Sequence, residues 1–69
     1  MNSTKELQDQ LIHLYETTRA EITEIIETLE PEDNKPIKPT DISIIRARTK
    51  IIKITSNMAT NLIDAYLTE

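Results

Sequence analysis

Apolar residues recur at intervals of three and four along two stretches of this chain, and residues 31–40, PEDNKPIKPT, interrupt the pattern. In the first stretch the apolar set is Leu7, Leu11, Leu14, Tyr15, Ile22, Ile25, Ile26 and Leu29. Projected at helical pitch it falls within an arc of roughly 120°. Thr18 lies in the same arc, and Glu6, Asp9, His13, Glu24 and Glu27 lie opposite. Neighbouring β-branched residues such as Ile25 and Ile26 would suit a strand. The absence of apolar–polar alternation decides for an amphipathic helix.

Start and stop signals bound that helix to about residues 3–30. Ser3 with Glu6 three residues later fits a capping box. Glu30 precedes Pro31, and a residue before proline avoids the α region. The interruption holds all three prolines of the chain and predicts a stiff connector over 31–40. Its one apolar residue, Ile37, is expected to fold back on the end of a hairpin. Pro36 and Pro39 match the bare spacing of polyproline ligands, for which a rigid linker is the preferred reading.

The second stretch carries Ile44, Ile45, Ala47, Ile51, Ile52, Ile54, Met58, Ala59, Leu62, Ile63, Ala65 and Tyr66. Together they cover about half of a helical circumference, against about a third for the first helix. Thr40 or Asp41 is the expected cap, and the helix is expected over about 41–67. One stripe suffices to pack on the first helix, so a half-circle calls for a second neighbour. The second helix therefore reads as the inner member of an assembly and the first as the outer one. The predicted fold is all-α: one domain, residues 1–69, forming an antiparallel two-helix hairpin that self-associates, most simply as a dimeric four-helix bundle. The expected oligomer interface comprises Ile44, Ile45, Ile51, Ile52, Met58, Ala59, Leu62, Ile63 and Tyr66, with Ile52 on its outer flank.

Length and composition press towards the same assembly. A chain of 69 residues buries little surface alone, and small domains lean on disulfides, metals or partner chains. Without cysteine there is no disulfide and no thiolate metal site, and His13 is the single histidine. No metal and no cofactor is expected. The net charge of −4 opposes nonspecific attraction to phosphate or anionic lipid. No apolar run reaches the roughly 20 residues of a membrane span, and the N-terminus has no apolar core of a signal peptide. The expected location is the cytoplasm of a bacterial or infected host cell.

Charged residues supply the candidate chemistry. Arg48 projects into the apolar half of the second helix, as does Thr55. A guanidinium there must meet a carboxylate, from Asp41 or a neighbouring helix, or reach solvent, and it is a candidate polar pin for register. Arg46, Lys50 and Lys53 share the polar side of that helix. With Arg48 they are expected to match Glu21, Glu24, Glu27 and Glu30 across the hairpin, and an acidic-partner or nucleic-acid face made by Arg46, Lys50 and Lys53 is the alternative. No aromatic residue interleaves them for base stacking. Tyr15 and Tyr66 fall at stripe margins, where a ring buries and its hydroxyl stays wet. No nucleophile–base spacing and no phosphate-cradling glycine loop is present, so no catalytic residue is expected. The pattern points to a non-enzymatic protein-interaction module, a regulator, inhibitor or assembly factor, whose partners are itself and another protein. The alternative is a nucleic-acid-binding accessory.

Overall fold

The computed structural model describes residues 3–29 and 36–68. They form two α-helices, α1 (Thr4–Thr28) and α2 (Pro39–Leu67), which pack against each other, and no strand occurs among the described residues. Thr18 meets Thr55 and Glu21 meets Arg48, so the helices run antiparallel. The result is a rod of 52 × 16 × 13 Å, one helix thick. The expected connector is described only from Pro36 onward, and residues 30–35 lie outside the described residues.

Local chemistry sets the helix ends. Ser3 is extended and its hydroxyl accepts the Glu6 N–H at 3.1 Å, satisfying one orphan donor of the first turn. The second helix starts earlier than Thr40 or Asp41. Lys38 is its N-cap and Pro39 its first residue, with no side-chain cap. Proline at that position has its φ preset for the helix and lacks an N–H that would have no partner there. Asp41 falls in the first turn instead, where its charge complements the helix dipole. Ile37 is exposed and does not fold onto the hairpin end.

The helices meet along a seam with strict four–three spacing. On α1 it runs Leu7, Leu11, Leu14, Thr18, Glu21, Ile25, Thr28; on α2 it runs Ile45, Arg48, Ile52, Thr55, Ala59, Leu62, Tyr66. All of these are buried or half-buried, as the narrow seam of a coiled coil requires. Taking Thr18 opposite Thr55, the spacing stacks Leu7 on Tyr66, Leu11 on Leu62 and Leu14 on Ala59 towards the open end. Towards the connector it stacks Glu21 on Ile52, Ile25 on Arg48 and Thr28 on Ile45. Only Leu14, 8% exposed, and Thr55, 6% exposed, count as buried among the described residues. Two helices alone enclose almost no core.

Threonine at the seam end, Thr28, and outside the seam is accommodated locally. Thr17, Thr23, Thr28, Thr49 and Thr60 each donate a hydroxyl hydrogen bond to the carbonyl four residues back. That geometry satisfies the hydroxyl without a tertiary partner.

Candidate interaction surfaces

Two polar contacts interrupt the seam near its middle. The Thr18 and Thr55 hydroxyls lie 2.7 Å apart. Thr55 donates to the Ile52 carbonyl at 3.0 Å, which leaves Thr18 as the donor of the pair. One turn towards the connector, Arg48 Nη1 donates to both Glu21 oxygens, at 3.0 and 3.3 Å. Arg48 thus takes its carboxylate from the facing helix and not from Asp41. Glu21 is mostly shielded, and the Arg48 stem lies along the seam while its head reaches the edge. A slip of one heptad would set Thr18 against Arg48 or Leu62 and Glu21 against Ala59 or Ile45. Both contacts would break at once.

The seam consumes much of what the hydrophobic pattern reserved for assembly. Ile45, Ile52, Ala59, Leu62 and Tyr66 lie on it, facing α1 within the hairpin. Ile52, expected on the outer flank, sits opposite Glu21. The other four expected interface residues fall on two different sides, because positions just before and just after a seam residue point to opposite flanks. Ile44, Ile51 and Met58 lie on one flank and Ile63 on the other.

One face is built by the α1 residues that follow the seam, together with their antiparallel neighbours on α2. It exposes Ile12, Tyr15, Ile22, Ile26 and Leu29 from α1, and Ile42, Ile63 and Leu67 from α2. Tyr15 is 63% exposed and Ile26 60%, so within one hairpin α2 covers only part of the apolar arc of α1. A shallow groove among Lys5, Gln8, Ile12 and Tyr15 marks the open end of this face. Its charged residues are Lys5, Arg19, Arg46 and Lys53, and no carboxylate of the described residues shares it.

The opposite face is built by α2 residues Ile44, Ala47, Ile51, Ile54, Met58 and Ala65, bordered by α1. Ile44, Ile54 and Met58 are exposed. His13, Gln10 and Leu14 form a groove here with Met58, Asn61 and Leu62. The charged residues are Glu6, Glu24 and Glu27, with Asp9 lining the groove, and no lysine or arginine of the described residues shares this face. Lys50 stands apart on the back of α2, beside neither face. Arg46, Lys50 and Lys53 are all exposed and pair with no carboxylate of the described residues. The hairpin is therefore apolar on both flat sides, one basic and the other acidic. Counting residues around a single wheel hides this division, and the signal that reveals it is the four–three register of the seam.

The exposed area measures the imbalance. The chain exposes 5837 Å². A folded monomer of 7.9 kDa exposes about 4,400 Å² by the surface–mass relation. The excess of about 1,400 Å² reflects the thinness of the rod together with its uncovered apolar sides.

Among the described residues no helix is long and apolar enough to cross a membrane, and no three metal-ligating side chains converge. Comparison with protein-family models, curated proteins and solved structures finds no match for the chain.

Proposed function

We propose that this chain is a non-enzymatic protein-interaction module that works as a self-associated helical hairpin, in the manner of a small regulator, inhibitor or assembly factor. The observation that carries it is the apolar surface left exposed on both flat sides of a thin rod, with Ile12, Tyr15 and Ile26 on one and Ile44, Ile54 and Met58 on the other. A pair of hairpins forming a four-helix bundle is the smallest assembly that covers a stripe. Another protein presenting an amphipathic helix would dock by the same chemistry.

The test is sedimentation equilibrium together with thermal unfolding over a hundredfold range of protein concentration. Mass above the monomer and a midpoint that rises with concentration are expected. A monomer whose midpoint is independent of dilution would refute self-association.

The grouping of Arg19, Arg46 and Lys53 on one face supports a second reading, a nucleic-acid-binding accessory. Net charge and the lack of an interleaved aromatic beyond Tyr15 weigh against it. Submicromolar binding to duplex DNA, single strands or structured RNA at physiological ionic strength, lost in an R19A/R46A/K53A variant that keeps its helix content, would favour this reading over the first.

A further inference from the structure

The two flat sides of the hairpin differ in sign, and that difference selects how copies meet. In a two-fold dimer each face meets its own kind. Basic-face pairing would bring Lys5, Arg19, Arg46 and Lys53 against the same four residues, with no carboxylate of the described residues on that face to separate them. Acidic-face pairing would oppose Glu6, Glu24 and Glu27 to themselves. Like charges held together at an interface oppose association, whereas complementary potentials favour it and fix the partner surface.

We propose that the hairpin associates by unlike faces: the basic apolar face of one copy sits on the acidic apolar face of the next. It rests on the self-association proposed above and specifies its mode. The occupant of both faces is then the same molecule, and one type of contact covers both. The exposure agrees in kind, since large apolar residues stand exposed on both faces and not on one. A lipid surface or a nucleic acid would engage only the basic face and leave Ile44, Ile54 and Met58 of the acidic face exposed. A contact between unlike faces always leaves one face of each kind uncovered at the ends. Assembly therefore continues beyond a dimer, into a ring if the rotation closes or an open stack if it does not.

Two charge-reversed chains test this. The variant R19E/R46E/K53E makes both faces acidic, and E6K/E24K/E27K makes both basic. All six positions lie outside the seam. Sedimentation of the wild type is expected to show mass passing that of a dimer as concentration rises, and decreasing between about 0.05 and 0.5 M salt as screening weakens the attraction. Each variant alone is expected to fall to the monomer mass of 7.9 kDa, and an equimolar mixture to regain the wild-type mass. If folding is coupled to assembly, the variants also lose helicity alone and regain it together, which circular dichroism reads. The milder pair R46Q/K53Q should lower mass at a given concentration while keeping helicity.

A wild type that stops at a dimer, variants that keep its mass, or a mixture that restores nothing would overturn unlike-face association while leaving self-association intact. A wild type that is monomeric throughout would refute both. One that stays monomeric yet cosediments with phosphatidylserine-containing vesicles, and not with neutral ones, would assign the basic face to lipid and overturn the proposal.

Discussion

Arg48 and Glu21 show what single residues contribute inside so thin a structure. Their bifurcated contact, one guanidinium nitrogen shared by both carboxylate oxygens, is the charged step in an otherwise neutral seam. Arg48→Met should lower stability by about 1.5–3 kcal/mol, because the shielded Glu21 carboxylate then loses its donor. A paired replacement, Glu21→Leu with Arg48→Leu, removes both desolvation costs and should be neutral or stabilising by about 1–4 kcal/mol. The same double variant loses one of the two contacts that penalise a one-heptad slip, keeping only Thr18 with Thr55. Chemical unfolding should therefore show the single variant weakened and the double variant restored, with the double variant also populating mixed registers in cysteine-free spin-label or cross-linking distance measurements. A double variant as weak as the single one would mean that the pair contributes through packing and not through charge. The need of Arg48 for a carboxylate was legible in the sequence, from a guanidinium set in an apolar arc. That it takes Glu21 and not Glu24, Glu27 or Glu30 was not, because the choice depends on a register and crossing geometry that composition does not encode.

Helix existence and direction were the most legible features, since Leu7, Leu11 and Leu14 and their counterparts near the C-terminus repeat at helical pitch. The element ends were less so. The Ser3 cap followed from its spacing to Glu6, and Ser3→Ala should lower stability by about 1 kcal/mol, read as a fall in midpoint, with Ser3→Asp keeping it. The start of α2 at Pro39 escaped because Thr40 and Asp41 are strong caps on propensity, while proline's preset φ acts upstream of both. The breadth of the apolar arc on α1 misled in a different way. A wheel merges Leu7, Leu11 and Leu14 with Tyr15, Ile22 and Ile26 into one stripe. A single facing helix covers only the seam, so the second set is left outside it. The same merging hid that the exposed apolar residues of α2 divide between two sides, Ile42, Ile63 and Leu67 on one and Ile44, Ile54 and Met58 on the other.

At the scale of the whole molecule, the seam has a gradient along its length. Leu7, Leu11 and Leu14 stack with Tyr66, Leu62 and Ala59 at the end remote from the connector, and the threonines and the ion pair occupy the half next to it. Zipping upward from the bend would form the least rewarding contacts first. The layers able to nucleate the hairpin join positions separated by roughly 45 residues or more, so the closure entropy of a long loop must be met before any apolar layer forms. Folding should consequently be slower than helix content alone suggests, with a transition state clasped at the open end. Leu11→Ala should slow folding about fivefold, for a loss of about 2 kcal/mol half realised in the transition state. Ile25→Ala, at the connector half, should mainly accelerate unfolding. Stopped-flow traces at fixed protein concentration separate the two, and equal folding rates in both variants would place the nucleus elsewhere. A hairpin clasped this way is secured by the segments farthest from its bend, so lengthening the connector should cost it little, whereas loosening the outermost turns would release the whole rod.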